Sequence, residues 1–135
     1  MDKPKTGEAV EAFRRYAQAF QTLDPRAVVP HFHEPALMIN PMGVTSLPNG
    51  AAVEQLYRPL MASLPERGYA RTEFSTMVEH RLSDDLAVVS GAGVWKKASG
   101  EDLHQFGMTY TFRRVGQTWR IVVAVIHDPE PRRKS

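Results

Sequence analysis

The side chains in this chain best suited to moving protons are its five histidines, His31, His33, His80, His104 and His127. Histidine has the ordinary pKa nearest neutrality, which makes it the natural general acid or base. There is no cysteine, so thiolate nucleophiles, thiolate metal sites and disulfides are excluded together. His31 and His33 have the spacing of a ligand pair but bring no visible third ligand, so they read as solvent-facing and no metal site is assigned. His80 stands between Glu79 and Arg81 and reads as surface. His104 is the strongest candidate. It shares strand parity with Phe106, Met108, Tyr110 and Phe112, while Gln105, Gly107, Thr109 and Thr111 face the other way. A histidine at the end of an apolar face points to the rim of whatever that face encloses; the plainer alternative is a core hydrogen bond.

These residues must be positioned by strands. Asp102–Arg114 and Gln117–His127 are too β-branched and aromatic for comfortable helices, and Val115-Gly116 between them is a turn signal, so they read as one antiparallel hairpin. Its register decides where His127 points. A two- or four-residue loop sets His104 opposite His127. A three-residue loop with Gly116 in the left-handed position sets His104 opposite Ile126 and turns His127 to the other face. Gly116 suits the second and Val115 resists the first, so the bulged register is expected. Tyr69–Leu82 and Leu86–Ala98 read as a second long strand pair. Gly91 and Gly93 fall on one face of the latter, which implies a close packing partner or a bend there.

The N-terminal half reads as helices and short strands. Thr6 caps a helix running to about Thr22, with Val10, Phe13, Ala17 and Phe20 in one stripe and Tyr16 beside it. Asp24 and Pro25 open a short second helix. Ala36–Asn40 is a short strand, and Gly43–Pro48 a second strand or an extended loop. Asn49 caps a third helix carrying Val53, Leu56, Leu60 and Leu64 on one face, with Pro59 expected to kink it. Helices gathered before long antiparallel strands give an α+β fold, a single domain over residues 6–128 with flexible tails at 1–5 and 129–135. A strongly curved antiparallel sheet wrapped around the N-terminal helices leaves a cavity at its mouth, a common place for ligands.

Composition narrows the partners. Seventeen basic against fifteen acidic residues give a net charge of +2, with the basic residues scattered, so nucleic acid is not an expected partner. No apolar run approaches the ~18 residues of a membrane span and the N-terminus has no apolar signal core, so a cytoplasmic protein is expected.

The element order resembles the nuclear-transport-factor-2-like superfamily, which includes ketosteroid isomerase, scytalone dehydratase, limonene epoxide hydrolase and the SnoaL-like polyketide cyclases. The resemblance spans Glu8–Asp128. Its local marks are Leu23-Asp24-Pro25 after the first helix, His31-Phe32 before a short strand, Pro48-Asn49-Gly50 opening the third helix, and Trp119-Arg120-Ile121 near the start of the last strand. It implies a cone-shaped, cystatin-like roll and a homodimer through the outer face of the long sheet, to which Trp95 and either Trp119 or Arg120 would contribute. The isomerases of this group carry a tyrosine on the first helix, an aspartate base at the end of the first strand, and a protonated aspartate in the penultimate strand. Tyr16 falls at the first position, Asn40 at the second and Met108 at the third. Asparagine accepts no proton at neutral pH and methionine donates no strong hydrogen bond, so that mechanism is not expected here. No match to the Asp-Arg-Asp set of the epoxide hydrolase is found.

The expected site therefore has Tyr16, Asn40 and His104 as its chemical groups. Phe20, Met38, Leu56, Tyr57, Leu60, Phe106, Met108 and Tyr110 would form its walls. Such a wall suits a hydrophobic carbonyl compound, isomerised, cyclised or dehydrated without a cofactor. The alternative is a ligand-binding or dimeric assembly module with no turnover.

Overall fold

The first helix begins at an N-cap residue that has no capping side chain. In this computed structural model, which describes residues 7–128, α1 spans Glu8–Gln21. Thr6 and the tails at 1–5 and 129–135 lie outside the described residues. Gly7 precedes the helix with a positive φ and no capping side chain. The missing acceptor comes from seventy residues away: Oε1 of Glu79 accepts from the backbone N–H of Ala9 (2.9 Å) and Val10 (3.0 Å). The buried stripe is Ala9, Ala12, Phe13, Tyr16 and Phe20. It is rotated from the expected one, so Tyr16 lies inside the stripe instead of beside it.

Asp24 caps the short helix α2 (Pro25–Val28) by accepting from Arg26 N, with Pro25 at the first helical position. A 3-10 turn at Val29–His31 leads into β1 (Phe32–Asn40), which begins earlier than expected. Strand β2 covers Gly43–Leu47. Helix α3 spans Gly50–Ser63 with Pro59 inside it, and Asn49 caps it by accepting from Ala52 N. After a 3-10 turn at Pro65–Arg67 come β3 (Tyr69–Ser83), β4 (Leu86–Lys97), β5 (Asp102–Val115) and β6 (Thr118–His127).

The six strands form one sheet in the order β2-β1-β6-β5-β4-β3. It is not wholly antiparallel, as the sequence had suggested: β1 and β6 run parallel. Those two strands are separated in sequence by α3 and three other long strands, and only a long connection of that kind permits a parallel pair. Helix α1 packs on β3, β4 and β6, and α3 on β1 and β2, around one apolar core. None of the helices in the described residues is long and apolar enough to cross a membrane.

Both expected registers of the last hairpin are wrong. The turn is the two-residue Gly116-Gln117, closed by Val115 and Thr118, with Gly116 at φ 64°. Glycine at the first central position supplies the positive φ that matches strand twist. One extra residue is then accommodated on β6, between the pairs Phe112–Ile121 and Thr111–Val123. His127 ends opposite Gly107. His104 lies beyond the end of β6 and pairs only with Trp95 of β4. A run such as Ile-Val-Val-Ala-Val-Ile is apolar on both faces, so it carries no alternation from which to read the inserted residue.

The paired glycines of β4 have the packing partners their spacing implies. A Cβ on Gly93 would sit 2.5 Å from the Phe106 ring, and one on Gly91 would sit 2.8 Å from Met77 Sδ. Phe106 has little room to yield, because the rings of Phe74, Trp95 and His104 lie 6.4, 6.0 and 6.1 Å from it. Gly93→Ala is therefore expected to destabilise the fold by about 1–3 kcal/mol through overpacking. Thermal denaturation checks this, and an unchanged midpoint would mean that the ring moves freely.

Candidate functional site

A cavity of about 320 Å³ opens between α1, α3 and the inner face of the sheet, within the usual range for small-molecule sites. Tyr16, Phe20, Met38, Asn40, Leu56, Tyr57, Leu60, His104, Phe106 and Tyr110 line it. Met108 does not. It is fully buried in the core, opposite Gly91 and Ile126 on the neighbouring strands. Strand parity gave Met108 the correct face but not its depth. Phe13, Ala17, Thr72, Phe74, Trp95 and Ile126 complete the wall.

Trp95 corrects a second expectation. It faces the cavity and not an outer interface, stacking with Phe20 at 6.2 Å and 20°. Trp119 is also buried, between the guanidinium groups of Arg81 (5.0 Å) and Arg114 (5.8 Å), so Arg120 is the exposed member of that pair. The parity of Gly91 and Gly93 carried the signal for Trp95, since all three alternate residues share one face.

The polar part of the wall is made of phenols. The hydroxyls of Tyr16 on α1 and Tyr57 on α3 are 2.6 Å apart. Tyr110 of β5 joins them, its ring 5.7 Å from that of Tyr16 and its hydroxyl interacting with Tyr16. Burial, then mutual proximity, pushes all three phenols well above their ordinary pKa. They stay protonated and act as neutral donors. Three hydroxyls in an open chain form at most two hydrogen bonds among themselves, so one O–H at an end of the chain is left to donate elsewhere. Asn40 adds to this. Its Oδ1 accepts from Met42 N at 2.9 Å, which leaves the Nδ2 donors.

His104 is the one exposed residue among those lining the cavity and so marks its mouth. Its ring lies 5.1 Å from Trp95 and stacks with Phe106. Desolvation, then the charge of Arg67, lowers its pKa below 6.5, so the ring is neutral at pH 7.

The other histidines stand apart. His33 bonds Pro35 O through Nδ1 and Arg113 through Nε2. His31 packs 6.3 Å from Tyr16 behind the wall, its pKa lowered by burial, then by Arg15 and Arg120. His80 is exposed. His127 lies across Gly107 on the face opposite His104 and bonds Thr109 Oγ1 at 3.0 Å. Among the described residues, no three histidine, aspartate or glutamate side chains converge to hold a metal.

His31 and His104 give the fold a pH dependence. Unfolded, each binds a proton near pH 6.5; folded, each resists it to lower pH. Their contribution to stability is present above about pH 6.5 and is lost as pH falls through the depressed folded values. The melting temperature of a His31→Gln/His104→Gln variant should therefore fall less than that of the wild type between pH 7.5 and pH 5. Identical slopes in calorimetry would remove the assignment.

The fold has counterparts among known proteins. The family model described as NTF2-like protein (DUF6841) matches residues 7–129. No curated protein matches the sequence. Aln2 from a Streptomyces species is 21% identical over 95% of this chain and 94% of its own, with a TM-score of 0.74. An NTF2-like protein with a cystatin-like fold from Novosphingobium aromaticivorans is 20% identical over 88% and 78%, with a TM-score of 0.72. An NTF-2 like protein of unknown function from Shewanella oneidensis MR-1 is 15% identical over 91% and 98%, with a TM-score of 0.71. At these identities the likeness is one of fold. The curved α+β sheet, the element order and the family match over nearly the whole chain agree: this protein belongs to the NTF2-like family.

Proposed function

We propose that this protein binds a hydrophobic carbonyl compound in the cavity and moves a proton on it without a cofactor, as an isomerase, cyclase or dehydratase of the SnoaL-like kind. The observation that carries this reading is the buried Tyr16–Tyr57 hydroxyl pair at 2.6 Å on a mainly apolar wall. Hydrogen-bond donors held in a water-poor site stabilise negative charge developing on a carbonyl oxygen. Asn40 supplies a further donor. His104 is the lining side chain whose ordinary pKa lies near neutrality, and it is neutral at pH 7. It takes the proton from the carbon beside the carbonyl. The electron pair moves onto the oxygen as an enolate held by the phenols, and the proton returns at another position.

A second reading is a homodimeric binding or assembly module with no turnover. It is favoured by the lining itself, which contains no carboxylate to act as a stronger base.

Deuterium exchange separates the two. In D2O, 2-tetralone loses its α-protons to enolisation, and NMR follows the rate. The first reading expects exchange above the buffer rate, reduced about 10²-fold or more in His104→Ala and about 10²-fold in Tyr57→Phe. Unchanged exchange in His104→Ala sinks the histidine as shuttle. Saturable binding of the ketone without exchange supports the module.

A further inference from the structure

The mouth of the cavity has a charge that its interior does not use. Arg67, in the 3-10 turn after α3, places its guanidinium carbon 5.6 Å from the centre of the Trp95 ring. Trp95 in turn contacts His104 at 5.1 Å, and both side chains line the cavity. Three other cations stand on the strands around this end of the sheet, and each has a carboxylate of its own. Arg71 pairs with Glu73 at 2.9 Å, Lys96 with Asp102 at 2.7 Å and Lys97 with Glu101 at 3.7 Å. Among the described residues, Arg67 has no carboxylate within ion-pair distance. The mouth therefore presents a guanidinium and an imidazole beside an aromatic wall.

We propose that the ligand is an apolar acid, whose carboxylate is held at the mouth by Arg67 while its ring system fills the cavity and its far oxygen meets the tyrosine hydroxyls. This rests on the reading of the cavity as a ligand site and names the class of compound it takes. The guanidinium fork matches a carboxylate in shape as well as charge. Stacked on Trp95, it loses little freedom on engaging one. Arg67 disfavours a second positive charge on His104 in the free protein, and a bound carboxylate offsets that repulsion. The two ends of the cavity thus ask for different groups: a neutral acceptor oxygen among the phenols and an anion at the rim. A planar hydroxy- or keto-acid of two or more rings meets both demands.

A matched pair of probes tests this on the full chain. Isothermal titration compares 6-hydroxy-2-naphthoate with its methyl ester, which keeps the rings and the phenol and removes only the charge. The acid should bind about tenfold tighter than the ester, a difference of the size expected for one hydrogen bond to a charged group. Arg67→Gln should remove that preference and leave the ester within about twofold. Arg67→Lys should keep part of it, and added salt should weaken the acid alone. Arg67 is exposed, so these variants are expected to fold, which circular dichroism checks. An ester that binds as tightly as the acid overturns the proposal while leaving the cavity a ligand site. Equal weakening of both probes by Arg67→Gln also overturns it, because the arginine would then act only by bracing Trp95. If neither probe binds, the ligand-site reading falls together with the proposal.

Discussion

Helix α1, which forms one side of the cavity, is anchored to β3 by hydrogen bonds at both of its ends. At the N-terminal end, the Glu79 carboxylate receives the first free N–H groups of the helix. At the C-terminal end, Gln21 Oε1 accepts from Thr72 N at 2.8 Å. Both anchors are on β3, seven residues apart, about 23 Å of strand. The helical span between Ala9 and Gln21 is about 18 Å. The side chains of Glu79 and Gln21 span the difference, and the strand breaks register between the two anchors. The buried charge of Glu79 is stabilised by the two N–H groups and by Arg81, whose Nε is 3.7 Å away and whose Nη2 pairs with Glu8 at 3.1 Å. Removing one partner of such a group leaves an uncompensated buried charge, so the parts of the anchor depend on one another.

Register breaks bend a strand. Strand β3 breaks register between Ser75 and Val78, where Thr76 takes a positive φ of 52°. Gly91 lies beneath that break, leaving room for Met77 and the Ser75 and Thr76 carbonyls. A second break separates the pairs Trp95–His104 and Lys96–Asp102, and turns Asp102 toward Gln105, away from His104. A third, on β6, shifts the buried positions from Trp119 and Ile121 to Ala124. Each inserted residue increases local twist and moves the following side chains to the other face. Curvature and the choice of lining residues thus both depend on register breaks of this kind.

This explains which parts of the structure could be read from the residues. The helices and strands are visible as periodicity, and the two capping residues Asp24 and Asn49 mark helix starts by their chemistry. Helical wall positions such as Leu56 and Leu60 follow, because a 3.6-residue period fixes a face over several turns, although the buried stripes of both long helices are rotated by about one position from the expected ones. Strand wall positions do not follow in the same way. Phe74 and Ile126 depend on where bulges fall, and a bulge in a run that is apolar on both faces leaves no trace in the pattern. The cap on α1 is equally hidden, since Glu79 reads as one more charged residue in an exposed strand.

The site that results divides its chemistry by depth. At the inner end three phenols are held neutral at pH 7 by burial, so they remain hydrogen-bond donors there. At the mouth an imidazole depressed by burial and by Arg67 can change charge as a compound enters. Bringing apolar rings against Trp95 and Phe106 removes water from the imidazole, which favours its neutral form; bringing an anion against Arg67 favours its charged form. The two effects act on His104 in opposite directions. With no carboxylate in the wall, His104 is the lining side chain on which these opposed effects of burial and charge meet.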